Sequence, residues 1–377
     1  MNNLADYLIP ASVSVPKYED NFGNSIIMYN GQPDFVIPQE TKIAIIGIPE
    51  DRFSEGAGEI KSPEVIRKQL YSLSAGTQGI VVDLGNIRTG KTLSDTYYGL
   101  KNLISDLYSH NIVTLLIGGT IDVFYGNILA MDNQTANFAY VAPQLRLPIR
   151  GSEKQPLNSV AFNKTDLPLH ICNVGYQSYY VTQHELDYFR DRHFEAYRLG
   201  EVRNNNISTI EPVIRDTDLL AISMDAVKYS DAPAASNPSP NGFCGEEICQ
   251  IAFFAGLSHK CRSFGIFDIL PQNDLQNLTA KLAAQIAWYF IEGVKKRNVD
   301  DPVIDNPNFK KYLIYFDELH HDLCFLKNIC TERWWMEVPS IKGERAGLVI
   351  SCTPEDYVRA TEKEIPERWW KTYQRIN

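Results

Sequence analysis

Lys42-Ile43-Ala44-Ile45-Ile46-Gly47-Ile48-Pro49 is nearly all β-branched and aliphatic, and the proline ends it. A run with no polar alternation predicts a strand buried on both faces. Ser62-Pro63-Glu64 then opens a helix, with serine as N-cap, proline in the first turn and an acid behind it. The alternation repeats. Gly79-Ile80-Val81-Val82-Asp83-Leu84 is a second strand, followed by a helix over about Ser94 to Ser109 with Tyr97, Leu100, Ile104 and Leu107 on one stripe. Ile112 to Ile117 is a strand ended by Gly118-Gly119, and Phe138 to Val141, Ile171 to Val174 and Leu219 to Met224 follow. A helix from about Gly245 to Leu257, a strand over Arg262 to Phe267 and a long helix ending near Lys295 complete the series. Strands apolar on both faces and spaced by helices predict an α/β fold with a central, mainly parallel sheet. Ligands in such sheets lie beyond the carboxyl ends of the strands, which makes the residues just after each run the ones to read.

The chain has 377 residues, of which 44% are hydrophobic and 22% charged, so a disordered or low-complexity chain is excluded. The formal charge of −10 offers no long-range attraction to nucleic acid or anionic lipid, and neither is an expected partner. No apolar run reaches the ~18 to 20 residues of a membrane helix. The opening Met1-Asn2-Asn3-Leu4-Ala5-Asp6-Tyr7 lacks the basic and apolar regions of a signal peptide. Seven scattered cysteines without a CxxC read as reduced thiols, and the expected location is the cytoplasm. Three parts are expected: an irregular N-terminal segment over 1–40, an α/β domain over 41–300, and a C-terminal extension over 301–377 packed on that domain. In the extension, Tyr312 to Phe316, Arg333 to Val338 and Leu348 to Cys352 read as strands, with a helix from Thr353-Pro354-Glu355. The pairs Trp334-Trp335 and Trp369-Trp370 there suit either core packing or a partner surface.

Gly85-Asn86-Ile87-Arg88-Thr89-Gly90-Lys91-Thr92 satisfies GxxxxGK[ST]. As a phosphate loop it would place Lys91 on phosphates and Thr92 on magnesium. The competing reading has the glycines in a turn and Thr92 with Asp95 capping the next helix. A phosphate loop runs directly into its helix, yet the apolar period starts only around Tyr97, which favours the cap.

Several strand-end segments, in order, resemble the ureohydrolase family of arginase, agmatinase and formimidoylglutamase. Gly47-Ile48-Pro49-Glu50-Asp51, Gly56-Ala57-Gly58 and Ser62-Pro63-Glu64-Val65-Ile66-Arg67 look like its first strand, Gly-rich loop and GP-x-x-IR helix. Ile117-Gly118-Gly119-Thr120-Ile121-Asp122 resembles IGGDHS, Ser223-Met224-Asp225-Ala226-Val227 resembles S-x-D-x-D, and Pro240 to Glu247 resembles PGGLTYRE. The resemblance spans roughly residues 42 to 295 and implies a three-layer α/β/α arginase-like fold, in a family whose members often assemble as homo-oligomers. It also implies a reaction. Two manganese ions held by two histidines and four aspartates generate a hydroxide that attacks a guanidinium or formimino carbon.

Carried over residue by residue, those six ligand positions fall on Ile121, Ala142, Gln144, Arg146, Asp225 and Val227. Only Asp225 is an expected ligand type. Four carboxylates would offset two divalent ions, whereas Asp225 and Arg146 sum to zero, and Ile, Ala and Val offer a hard cation nothing. The expectation is a family member without its dimanganese site and without a cofactor, acting as a ligand-binding or scaffolding protein. Arg146 is expected to pair with Asp225 in place of the ions. The resemblance offers Glu247 as a receiver of guanidinium-like groups, with Asp268 and Asp274 at the pocket rim, so the expected ligand is a small amidine, guanidine or carboxylate. The alternative is an active amidine hydrolase with Mn2+ ligands recruited from Asp122, Asp225, Asp268 or the His320-His321 region; a nucleotide-binding protein is the second alternative.

Three further groups carry less. In Glu318-Leu319-His320-His321-Asp322, with Cys324 and Cys330 nearby, adjacent histidines on a strand would face opposite ways, and an ordinary turn is expected. Cys244 lacks an activating histidine at a recognisable position. Ser223 lacks a G-x-S-x-G elbow, which argues against a hydrolase triad.

Overall fold

The apolar runs become the strands of one ten-stranded sheet in the computed structural model, which describes residues 4–14, 20–52, 58–75, 81–131, 135–145, 169–204, 206–300, 302, 306–316, 321–341 and 347–377. Its strands are β1 (Leu8–Ile9), β2 (Ile27–Met28), β3 (Ile43–Gly47), β4 (Val81–Ile87), β5 (Val113–Ile117), β6 (Ala136–Val141), β7 (Leu169–Tyr176), β8 (Glu195–Arg198), β9 (Leu219–Ser223) and β10 (Ser263–Phe267). They lie in the order β1-β4-β3-β5-β10-β9-β6-β7-β8, with β2 also on β4. Every pairing is parallel except that of β1 with β4.

Successive side chains on these strands enter different layers. Ile43, Ile45, Leu115, Ile117, Leu220 and Ile222 pack against helices Ser62–Leu70, Gly245–Leu257 and Leu278–Lys295. Ala44, Ile46, Leu116 and Ala221 face the other way, toward helices Leu93–Ser109, Tyr125–Leu129 and Gln183–Asp191. Period-2 alternation between two apolar layers is what makes three layers, so the α/β expectation holds. The N-terminal stretch, read as irregular, contributes β1 and β2 to this sheet. Gly85 permits that approach: its φ is +77°, and a Cβ there would lie 2.2 Å from the Ile9 carbonyl oxygen.

The extension folds into a separate antiparallel sheet, β11 (Phe309–Phe316), β12 (His321–Asn328), β13 (Trp334–Val338) and β14 (Leu348–Cys352), followed by helices Pro354–Thr361 and Glu367–Ile376. Where a turn was expected around His321 there is strand β12, although residues 317–320 lie outside the described residues. Trp334 and Trp369 sit in this sheet's own core, which answers for part of the tryptophan cluster without a partner.

Docking is polar. Asp216, just before β9 at the amino end of the main sheet, accepts hydrogen bonds from the Ser351 amide (2.8 Å) and hydroxyl (2.8 Å) and from Arg368 Nη2 (2.8 Å), with Lys260 Nζ at 3.2 Å. Arg215 Nη2 donates to the Trp334 carbonyl (3.0 Å), and its guanidinium stacks 4.5 Å from the Trp335 ring centroid. Burial alone would raise the Asp216 pKa, but Lys260 and Arg368 outweigh it and hold the carboxyl well below the usual range. Glu195, buried beside Arg368 and His170, is lowered in the same way.

Removing one partner of a buried pair leaves the other charge uncompensated, so Asp216→Ala is expected to cost about 3–5 kcal/mol in chemical denaturation. Because both folded-state pKa values are depressed, their stabilisation is complete above the ordinary carboxylate range and fades as the pH falls below about 4. Asp216→Asn should flatten that acid limb, measured as unfolding midpoint against pH.

Candidate functional site

The carboxyl ends of β5, β10, β9 and β6 are neighbours, and local chain geometry decides what they present. Strand β5 runs into Gly118 (φ +86°) and Gly119 (φ +73°). A Cβ on Gly118 would lie 2.6 Å from Pro63 and Ser62, so this turn packs directly onto the first helix, and the Gly119 amide donates to Ser62 Oγ at 3.1 Å. Asp268, the residue after β10, also adopts a left-handed conformation (φ +65°). Its amide donates to the Gly119 carbonyl (2.9 Å). Its carboxylate accepts from the Ile121 amide (2.9 Å) and the Ser223 hydroxyl (2.5 Å). One side chain thereby ties three strand ends together.

The same network reaches Asp225. Ser223 Oγ accepts from the Asp225 amide at 3.3 Å, and Asp225 Oδ1 accepts from the Asn237 amide at 2.7 Å. The neighbouring Ser236 donates its amide to the Asp268 carbonyl (3.0 Å) and its hydroxyl to Glu59 Oε1 (3.1 Å).

Around this framework the described positions among the six read as metal equivalents have differing surroundings. Ile121 and Val227 are fully buried, in opposite apolar layers of the sheet. Ala142 is buried at the end of β6, whereas Gln144 is exposed. Asp225 is half-buried in the network just described, and Arg146 lies outside the described residues, as does its expected pair with Asp225. Among the described residues no group of three or more His, Cys, Asp or Glu side chains is placed to hold a metal ion. Side chains without donor atoms at these places do not fit a hard divalent ion, which needs several oxygens.

The rim residues have other engagements. Glu247 sits at the third position of helix Gly245–Leu257, where it accepts from the Cys244 amide (2.8 Å) and from Arg203 Nε (2.9 Å). Burial pushes its pKa up, yet Arg203 and the Cys244 amide bring it below the usual value. The guanidinium at Glu247 is therefore the chain's own. Asp274 accepts from the Thr279 (3.2 Å) and Ala280 (2.9 Å) amides, which anchors the start of helix Leu278–Lys295. Residue His320 lies outside the described residues. The strand beginning at His321 belongs to the second sheet, whose hydrogen bonds to Arg215 and Asp216 lie at the amino end of the main sheet.

The GxxxxGKT stretch is a strand end and a cap. Gly85 lies inside β4, and Thr92 and Asp95 form a reciprocal capping box for helix Leu93–Ser109. Between them the Gly90 and Lys91 carbonyls accept from Arg52 Nη1 (3.2 and 3.1 Å), and Arg52 is itself held by buried Glu50. Two carbonyls facing a guanidinium make no cradle for phosphate. The sequence alone assigned no role to Glu50, Arg52 or Glu59; an acid on each side of a Gly-rich loop was the available signal.

Ser223→Ala removes a buried hydroxyl donor to Asp268 and should cost about 1–3 kcal/mol of unfolding free energy. Lys91→Ala should change the melting midpoint by no more than a surface substitution does, within about 0.5 kcal/mol. Neither the parent nor that variant should show an ATP-dependent thermal shift.

Comparison with known proteins agrees with the α/β fold. The family model described as the arginase family matches residues 41–292. Formimidoylglutamase of Staphylococcus haemolyticus is 24% identical over 272 residues, covering 68% of this chain and 87% of that protein. That of Ralstonia nicotianae is 23% identical over 289 residues, covering 69% and 88%. Among solved structures, formimidoylglutamase from Bacillus subtilis superposes with a TM-score of 0.66 at 19% identity, over 77% of this chain and 97% of its own. Trypanosoma cruzi formiminoglutamase with Mn2+ gives 0.63 at 20% identity, over 70% and 97%.

Proposed function

Since this chain belongs to the arginase family, whose members hydrolyse C–N bonds of amidines and guanidines, we propose that it is a member without the binuclear metal centre, which binds a small ligand instead of hydrolysing one. The reading rests on one observation above all. Ile121 and Val227, at positions where the resemblance expects a histidine and an aspartate, are fully buried in apolar layers. Converting such positions to ligands needs donor atoms where the core now has methyl groups, and ionised groups there would lose their hydration. Ala142, Gln144 and Arg146 extend the substitution to the end of β6.

Without two divalent ions there is no Lewis acid to lower the pKa of a bound water toward neutrality. What this chain's residues can still do is bind. The strand ends carry Asp225, Asp268 and Glu59 on one hydrogen-bonded segment, an arrangement that favours an N–H-bearing amidine or guanidine over a carboxylate. The C-terminal sheet docks at the amino end of the main sheet, away from those strand ends, and we assign it a scaffolding role.

Protein purified in the presence of manganese and then desalted should retain substoichiometric metal by elemental analysis. It should release neither urea nor formamide from arginine, agmatine or formimidoylglutamate. Two manganese ions per chain, or turnover of any of these, would overturn the reading.

A further inference from the structure

The chain carries two Asn-Gly pairs, Asn30-Gly31 and Asn241-Gly242, and both asparagines are exposed. Glycine after asparagine favours imide formation, since no Cβ shields its amide nitrogen from the asparagine side chain. Ring closure requires the peptide between the two residues to turn until its nitrogen faces the side-chain carbonyl carbon. Both pairs share this local chemistry, so a difference between them comes from the fold.

The fold clamps one pair. The Asn241 carbonyl accepts from Gln177 Nε2 (3.1 Å), and the Asn241 amide donates to Ser239 Oγ (3.4 Å). Gly242 is buried and wedged against the chain after β9: a Cβ on it would lie 2.4 Å from the Lys228 nitrogen and 2.6 Å from the Ala226 oxygen. The next residue, Phe243, donates its amide to the Ala226 carbonyl (2.8 Å) and accepts from the Lys228 amide (3.0 Å). The peptide before Gly242 therefore has no freedom to turn. Asn30-Gly31 is held differently. It follows β2 in an exposed turn, and among the described residues the Gly31 amide and the Asn30 carbonyl make no hydrogen bond. Gly31 has a φ of +82°, and a Cβ placed there would meet only the Pro10 ring, at 3.0 Å.

The one bond the Asn30 side chain makes bears on its reactivity. Oδ1 accepts from the Gln32 amide at 3.0 Å. Attack on the side-chain carbonyl moves negative charge onto that oxygen, and a donor already aimed at it stabilises the charge as it develops. We propose that Asn30 is a site of spontaneous deamidation, which the fold permits there and prevents at Asn241. The Gly31 nitrogen bonds to Asn30 Cγ, and its proton leaves with the side-chain nitrogen as ammonia. Water then opens the five-membered imide at either carbonyl. Opening at Cγ gives aspartate, opening at the main-chain carbonyl gives isoaspartate, and nothing is oxidised or reduced. Each product adds a negative charge. Isoaspartate also lengthens the main chain by one carbon between Tyr29 and Phe35, whose rings meet edge to face at 5.2 Å. This modification is independent of the metal-free reading above, and its failure would leave that reading intact.

The full-length chain is aged in mildly alkaline buffer made with heavy-oxygen water, then digested in ordinary water and mapped by mass spectrometry. The Asn30 peptide should take up one heavy oxygen and appear as both aspartate and isoaspartate. It should convert about tenfold faster than the Asn241 peptide, or more. In denaturant, where neither pair is held, the two rates should converge. Isoelectric focusing of the aged protein should show an acidic band that Asn30→Ser abolishes and Asn241→Ser leaves in place. No conversion at Asn30, conversion at Asn241 at an equal or greater rate, aspartate without isoaspartate, or a rate difference that persists in denaturant would each overturn the proposal.

Discussion

Asp268 holds the carboxyl end of this sheet together. Its left-handed backbone turns the chain back over Gly119, and its carboxylate closes on the Ile121 amide and the Ser223 hydroxyl. Both oxygens thereby act on neighbouring strands. The arrangement depends on glycines at 118 and 119, since a side chain at 118 would strike Pro63 and Ser62. In effect the first helix, β5, β9 and β10 share one polar knot above an apolar core. The acids nearest the strand ends are thus partly structural, and their chemistry cannot be read from residue type alone.

The opposite end of the sheet has a matching carboxylate-centred device, there surrounded by cations. Asp216 gathers Lys260, Arg368 and both donors of Ser351, and Arg215 beside it reaches two carbonyls of the second sheet. This buried and charged seam, reinforced by Trp335 stacked on Arg215, holds the C-terminal extension to the amino ends of β9 and its neighbours. Buried ion pairs of this kind contribute little net stability against an apolar seam, but they fix one docking geometry, because any shift strands a charge. The extension is thereby held on the side of the domain away from the candidate site.

This arginase-family fold carries a particular electrostatic arrangement at its strand ends. The mainly parallel sheet brings the carboxyl ends of β5, β10, β9 and β6 side by side, where open α/β sheets generally bind ligands. Here the corresponding side chains are engaged elsewhere. Ile121 and Val227 extend the core outward, and Glu247 is already paired with Arg203. Hydrocarbon at positions 121 and 227 adds to the buried apolar layers, and a shared backbone leaves such side-chain choices open.

Much was legible without coordinates because it is local. Unalternated β-branched runs such as Ile43 to Ile48 specify strands covered on both faces, and Thr92-x-x-Asp95 specifies a helix start, through forces acting within a few residues. Strand β12 escaped notice because charged and polar residues at both ends, His321 and Asp322 and then Lys327 and Asn328, leave only Leu323 to Leu326 as an apolar run. So did the roles of Glu59, Glu247 and Asp216, whose partners lie 177, 44 and 135 residues away. The sequence by itself determined the layers, the family and the residue types at the positions where the resemblance expects metal ligands. Only the tertiary structure decided which acids are engaged and where the extension docks. Hydrogen bonding between distant segments depends on how the sheet brings their ends together, and no periodicity along the chain encodes that.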